Sequence, residues 1–267
     1  MVPAFSAALV AMTVGIACLF FDLGRSDRVV LLLISPALTH ISVGAWALAA
    51  TALLAALLLC AWNAASFCFP LGVVRALEAL VLAAAFVSMA YTGLLLQGLN
   101  AVPLWGSVWL PVVFVLSSVS CGLAIVAAAA QVSDAAELFA AALRRLTAAD
   151  AVVIAVEAVA AGLLVASVMQ LANAQGAFDN TATVAAASAT ELLSGGSAWV
   201  FWGVFFAVGL AVPLVAEAVL FVQSHRGGRI PAKASLAVSC CVLAGGFALR
   251  FCLIQAGAHP FAYLPIA

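Results

Sequence analysis

Ionisable side chains are rare in this sequence, and several of them fall inside long apolar stretches. Glu78, Glu157, Glu217 and Arg250 lie within such stretches, and His40 lies at the edge of another. An ionisable group in hydrocarbon is costly and marks a paired or functional position. We therefore predict that the three carboxyl groups and the guanidinium form a proton path or a buried polar network.

Each of these residues also has a simpler interpretation. Glu78 follows Arg75 by three residues, so the two side chains could form an ion pair at the membrane interface. Glu217 lies near the end of its stretch, where its carboxyl group could reach the interface. Glu157 lies about two turns deep and needs a partner or a proton. Arg250 keeps its charge, so it needs an anion, backbone carbonyls or a water cavity, as a structural pair or as a ligand site.

The overall composition requires a membrane environment. The chain has 267 residues, of which 68% are hydrophobic and 7% are charged, and its mean hydropathy is +1.30. Soluble domains carry about 25% charged residues. The composition excludes a water-soluble globular fold, a disordered chain and a nucleic-acid binder, since no basic patch is present to bind phosphates.

Charge-free runs separated by polar turns predict seven membrane-spanning helices. A spanning helix needs about 20 mostly apolar residues, and Pro36 separates the first two runs. The predicted fold is an all-α integral membrane protein, a polytopic helix bundle in which residues 1–267 form a single transmembrane domain. The predicted spans are about 3–21, 39–62, 76–97, 107–130, 149–173, 198–222 and 234–256.

The basic residues between the spans predict the orientation of the chain. The loops after spans two, four and six carry most of the basic residues, namely Arg75, Arg144, Arg145, Arg226, Arg229 and Lys233. The other loops carry only Arg25 and Arg28, beside two aspartates. Basic loops stay in the cytoplasm, so the N-terminus is predicted inside and the C-terminus outside.

Two of the segments between spans have distinctive patterns. Residues 133–147 carry an acidic start and two arginines beside an apolar face, which predicts a short interfacial helix. Residues 174–196 are rich in Ala, Ser and Thr, which predicts a polar outside loop that is mobile or contacts a partner.

Cysteine and histidine usage argues against resident metal cofactors. The seven cysteines form no C-x-x-C pair and no cluster of four, so an iron–sulfur cluster within this chain is not expected. A membrane haem commonly needs two histidine ligands, and of the three histidines only His40 lies near a span. We predict no haem and no metal in this chain.

Three stretches carry a resemblance to a known family. The first comprises residues 19–25 (LFFDLGR) and 42–46 (SVGAW). The second comprises Arg75 and Glu78, then residues 91–96 (YTGLLL) and 102–105 (VPLW). The third comprises residues 245–250 (GGFALR) and 256–257. In this order they resemble the NrfD/PsrC family, the membrane subunits of polysulfide reductase-like complexes, over nearly the whole chain.

The resemblance implies a function in electron transport. Members of that family are haem-free membrane subunits with eight helices that exchange electrons between the quinone pool and an iron–sulfur subunit. That subunit in turn serves a molybdopterin-type catalytic subunit, as in anaerobic respiration. By this resemblance the chain is a subunit of an oxidoreductase complex rather than a complete enzyme, and its cofactor is a quinone, either menaquinone or ubiquinone.

Three polar residues near the predicted outer surface are candidates for quinone binding. Tyr91 and Asp22 could hydrogen-bond the quinone oxygens, because a phenol both donates and accepts, and His40 could relay a proton. Each also has a simpler interpretation. Tyr91 and Trp105 suit an aromatic belt at the membrane interface, and Asp22 could pair with Arg25.

One departure from the family pattern concerns the first helix. The D-L-G-R turn follows the second helix of family members, whereas here it follows the first, so by this comparison the family's first helix is lacking. A different start, a helix supplied by a partner, or an altered quinone site would each account for this. Two other functions are therefore kept open: a passive membrane anchor with a degenerate quinone site, and a proton-coupled transporter.

Overall fold

The computed structural model describes residues 2–22, 40–63, 70–99, 102–132, 139–173, 180–225 and 231–262. These residues are almost entirely helical, which confirms the predicted all-α class. The helices are α1 (Val2–Asp22), α2 (His40–Asn63), α3 (Leu71–Gln97), α4 (Trp109–Val132), α5 (Ala140–Asn173), α6 (Asn180–Leu193), a π-helical segment (Val200–Ala211) that continues into α7 (Val212–His225), and α8 (Ala232–Ala262).

Six helical segments of the described chain are long and apolar enough to cross a membrane. They are Ile41–Trp62, Leu71–Gln97, Trp109–Val132, Ala140–Asn173, Val200–Gln223 and Ala232–Ala258. Helices satisfy every backbone hydrogen bond internally, which is required in lipid. In α1 the apolar part, Phe5–Cys18, is shorter. The chain is thus a multi-pass membrane protein, and the count of seven spans stays a prediction.

Residues 1–95 form the first of two compact units. Here α1 packs against α2, with the rings of Phe5 and Trp62 in an edge-to-face contact at 4.9 Å. The hydroxyls of Thr51 on α2 and Ser88 on α3 hydrogen-bond at 3.2 Å. Most side chains of α3 are exposed within this unit.

Residues 96–267 form the second compact unit, and α8 lies at its centre. This helix packs against α4, α6, α7 and the π-helical segment, while α5 packs against α4, α6 and α7. The core of the unit consists of large apolar side chains from these helices, including Leu110, Ile154, Leu164, Phe205, Leu249 and Leu253. The single-domain prediction is neither confirmed nor contradicted by this division.

The π-helical segment crosses α8 at two glycines. Gly209 and Gly245 meet at their Cα atoms, and a Cβ on either would overlap the other backbone. Small residues allow membrane helices to approach this closely. The crossing brings the backbones of these two helices beside the polar groups of α4 and α5.

Two predicted segments differ in the structure. The predicted loop at 174–196 is wrong for its main part, because residues 180–193 form α6. Alanine has the highest helix propensity, and Ala185, Ser188 and Leu192 share one buried face of this helix. The interfacial helix predicted at 133–147 is also not separate: residues 140–147 continue directly into the fifth span, and 133–138 lie outside the described residues.

Candidate functional site

Arg250 is held inside the second unit by a backbone carbonyl and two hydroxyls. Its Nη1 donates to the carbonyl oxygen of Gly246 at 2.9 Å and contacts the Ser117 hydroxyl at 3.5 Å. Its Nη2 donates to the Ser118 hydroxyl at 2.7 Å. The guanidinium carbon lies 5.4 Å from the ring centroid of Phe114, a cation–π distance. The sequence predicted an anion, backbone carbonyls or a water cavity as the partner of Arg250. Of these, the structure shows a backbone carbonyl.

Ser117 lies between this arginine and a buried carboxyl group. Its hydroxyl is contacted by Arg250, and Ser117 lines the same narrow gap as Glu157, which is 4% exposed. A hydroxyl can accept one hydrogen bond and donate another, so Ser117 is placed to accept from Arg250 and to donate toward Glu157.

A second buried carboxyl group lies seven residues before Glu157 on α5. Seven residues are about two helical turns, so Asp150 shares a face with Glu157. Asp150 and Glu217, the latter on α7, line the same small cavity. These two residues are 3% and 5% exposed, respectively. The structure therefore places two carboxyl groups side by side in the bundle interior.

Three buried oxygens around this pair have no hydrogen-bond donor or acceptor in place. They are Oδ1 of Asp150, Oε2 of Glu217 and the hydroxyl of Ser120, which faces Asp150 from α4. An unsatisfied buried polar group costs about 1–3 kcal/mol. A proton, a water molecule or an ion is therefore needed to satisfy the hydrogen-bonding capacity of these three atoms.

A small cavity adjoins the carboxyl pair. Its volume is about 20 Å³, which holds about one water molecule. It lies at the end of the unit where α4 and α7 finish and where α5 and α8 begin. Its polar lining comprises Thr147, Asp150, Glu217, Ser235 and Ser239.

Glu157 lines a narrow gap on its side toward α4. The gap between Ser117, Ser120, Glu157 and the Gly209–Gly245 crossing is too tight for a water molecule. Ser117 and Ser120 are one turn apart on α4, and their hydroxyls face the two carboxylates of α5. Contact along this part of the network is therefore made by side chains.

Glu78 belongs to the first unit. It is exposed on α3, in the unit of residues 1–95, and the network described above lies in residues 96–267. The Arg75–Glu78 ion pair is not formed among the described residues. Within the second unit the structure brings together Glu157, Glu217 and Arg250, and the contact of Glu78 with them stays a prediction.

Of the predicted quinone-binding residues, only Tyr91 is described with its side chain. Tyr91 is half-buried, and its ring lies against Gly44 of α2, where a Cβ would overlap the ring. Its hydroxyl has no hydrogen-bond partner among the described residues. Asp22 ends α1 and His40 begins α2, but both side chains lie outside the description. Whether the three side chains meet stays a prediction.

Four polar residues of the network were not predicted from the sequence: Asp150 on α5 and Ser117, Ser118 and Ser120 on α4. Asp150 is the second residue of the span predicted at 149–173. The spacing from Glu157 was the available signal, because positions seven apart share a helix face. The three serines lie among apolar residues, and nothing in their spacing indicates that they contact ionisable groups.

Two of the motif stretches meet in the second unit. The indole Nε1 of Trp105 donates to the carbonyl oxygen of Leu253 at 2.9 Å. A Cβ on Gly257 would overlap the same indole. Gly246, in the G-G-x-x-L-R stretch, supplies the carbonyl that holds Arg250. The glycines of these stretches thus lie where an aromatic ring or a guanidinium needs close access to the backbone.

The fold and these contacts define a polytopic α-helical membrane protein with a buried polar network. The family model described as polysulphide reductase, NrfD, matches residues 2–262. The chain therefore belongs to the NrfD family. The comparisons with curated proteins and with solved structures gave no match. Within the described part of the chain, no three His, Cys, Asp or Glu side chains group as metal ligands would.

Proposed function

We propose that this chain is the quinone-interacting membrane subunit of a multi-subunit oxidoreductase. It would exchange electrons between the quinone pool and a docked iron–sulfur subunit that serves a molybdopterin-type catalytic subunit. Membership of the NrfD family over residues 2–262 supports this function. The multi-pass helical architecture supplies the lipid contact that a quinone site needs.

The environment of Tyr91 is the single observation that carries the proposal. Its ring is fixed against Gly44, and its hydroxyl is free to bind another group among the described residues. A fixed phenol with an unused hydroxyl fits a quinone oxygen, because it can donate to one redox state and accept from the other. The site residues therefore fit the implied cofactor at the one position where the side chain is described.

The quinone supplies two-electron chemistry that is coupled to protons. Tyr91 would orient one oxygen of the head group through its hydroxyl, and Asp22 would hold a proton at the other. His40 would pass that proton to water. Both helix ends that carry these residues, the end of α1 and the start of α2, lie at the outer surface in the topology predicted from loop charge.

The same predicted topology indicates where the partners would dock. With the N-terminus inside and the C-terminus outside, the D-L-G-R stretch and residues 102–105 are each predicted to lie on the outer side. The iron–sulfur and catalytic subunits would dock there, on the outer face of a bacterial inner membrane. Which quinone is used depends on contacts beyond those described, so both menaquinol and ubiquinol are assayed.

The test is a purification of the tagged chain, co-expressed with the genes beside its own, in mild detergent. The eluate is assayed for iron, haem absorbance and oxidation of reduced quinone analogues. We expect iron, no haem and quinol oxidation that Tyr91→Phe reduces at least tenfold. Tyr263→Phe makes the same chemical change at the chain's other tyrosine and serves as the matched control.

Two results would contradict the proposal in different ways. Co-purified iron without quinol oxidation by either analogue would identify a passive anchor. A folded chain that elutes without iron would remove both the quinone subunit and the anchor, and would favour a transporter.

A further inference from the structure

Among the described residues, no cation compensates the two buried carboxyl groups of Asp150 and Glu217. The titratable and polar groups that face it are Ser120 and Cys121 from α4, Thr147 and Glu157 from α5, and Ser235 and Ser239 from α8. Among the residues described, no lysine or arginine lines the cavity beside the pair. The positive charge of Arg250 interacts electrostatically with Glu157 and Cys121, in the neighbouring part of the network.

A hydrogen bond between these two carboxyl groups would require a proton. A carboxylate oxygen only accepts, whereas a protonated carboxyl group also donates. Two negative charges that line one small cavity in an apolar interior repel strongly, since little water screens them. One proton on the pair removes one charge and provides a donor beside the unpartnered oxygens, Oδ1 of Asp150 and Oε2 of Glu217.

We propose that the Asp150–Glu217 pair is a binding site for one exchangeable proton. The adjoining cavity of about 20 Å³ holds the water that delivers it. In the loading step an O–H bond of a hydronium ion breaks and an O–H bond forms at a carboxylate oxygen, leaving water. No oxidant or reductant takes part, so the site also functions without quinone.

The position of the cavity identifies the side from which the proton enters. The cavity lies where α4 and α7 end and α5 and α8 begin, beside the loops that carry most of the basic residues. Those loops are the ones that the charge distribution assigns to the cytoplasm. The pair is therefore loaded from the predicted cytoplasmic side.

The remainder of the network ends at a fixed positive charge. Ser120 faces Asp150, and Ser117 lies between Glu157 and Arg250. A fixed guanidinium repels an excess proton, as arginines do in pores that exclude cations. Arg250 thus closes the network at its far end, so the arrangement is a loading site rather than an open channel.

The test uses infrared spectroscopy on the purified full-length chain in lipid vesicles without quinone. A protonated carboxyl group has a carbonyl stretch separate from that of a carboxylate, and this band shifts in D₂O. We expect such a band at neutral pH in the difference spectrum between wild type and Asp150→Asn/Glu217→Gln. Each single variant should move or remove the band. Glu191→Gln keeps the acceptor oxygen that Ser197 uses, so it is the matched control and should leave the band unchanged.

Three results would overturn the proposal. The first is a difference spectrum without a protonated-carboxyl band, provided that the double variant shows native helical circular dichroism. The second is a band that fails to shift in D₂O, which means that the proton does not exchange. The third is loss of the band on replacing choline chloride with sodium chloride, which identifies a sodium site instead.

Discussion

Tyr91 of α3 occupies the space that a side chain on Gly44 of α2 would fill. Both residues lie in stretches that carry the family resemblance, forty-seven positions apart in the sequence. The contact explains why the two stretches occur together, because the ring needs a helix surface without a Cβ. The contact also restricts the orientation of the half-buried phenol ring, because a ring packed against a helix backbone can adopt few rotamers.

Gly44→Ala should therefore destabilise the protein. The added methyl group overlaps the Tyr91 ring, and overpacking of this kind costs about 1–3 kcal/mol. Gly72→Ala is the matched control, because nothing lies within 4 Å of a Cβ built at Gly72. Gly72→Ala should leave stability unchanged or raise it, since alanine favours helix over glycine. Thermal unfolding followed by circular dichroism in detergent compares the two, and an equal effect of both substitutions would contradict the contact.

The Trp105–Leu253 hydrogen bond predicts a second difference in stability. Trp105→Phe removes the indole N–H but keeps an aromatic ring over Gly257, so the loss should be about 1 kcal/mol. Trp109→Phe, at an exposed position of α4, should change stability little. Thermal unfolding of the two variants provides the comparison. A larger loss of stability in the Trp109 variant would show that the indole hydrogen bond of Trp105 does not stabilise the protein.

Arg250 should not be replaceable by lysine. Its guanidinium reaches the Gly246 carbonyl and two serine hydroxyls from two different nitrogens. A lysine ammonium is a point charge without that planar fork, so Arg250→Lys leaves some of these partners unpaired and should cost about 1–3 kcal/mol. Arg75→Lys at an exposed position of α3 should be neutral. Unfolding temperatures in detergent test this, and a neutral Arg250→Lys would show that charge alone suffices.

The sequence predicted the helices well and the network only in part, for one physical reason. The length of an apolar run determines whether it can span the membrane, and that length can be read from each stretch of sequence alone. The neighbours of a buried group depend on how helices rotate against one another. Glu157 and Glu217 were recognisable as buried because apolar residues flank them. Asp150 was not, because α5 begins at residue 140 and extends beyond the apolar run.

The same limit applies to α6 and to Tyr91. The serines and threonines of 180–193 suggested a loop, although their alanine-rich setting forms a helix with one buried face. The contact between Tyr91 and Gly44 could not be predicted from their spacing, since the sequence does not determine how α2 and α3 pack against each other. Packing between helices, rather than propensity within them, decided these positions.

Ser235→Leu should slow proton exchange at the Asp150–Glu217 pair. Ser235 lines the cavity beside the pair, and a leucine side chain there would exclude the single water molecule that the cavity holds. Ala237→Leu adds bulk to an exposed position two residues further along α8 and is the matched control. The time course of the band shift after transfer to D₂O measures exchange in both variants. We expect at least a fivefold slower shift in Ser235→Leu and no change in Ala237→Leu. Equal rates in the two variants would show that the proton reaches the carboxyl pair by another route than this cavity.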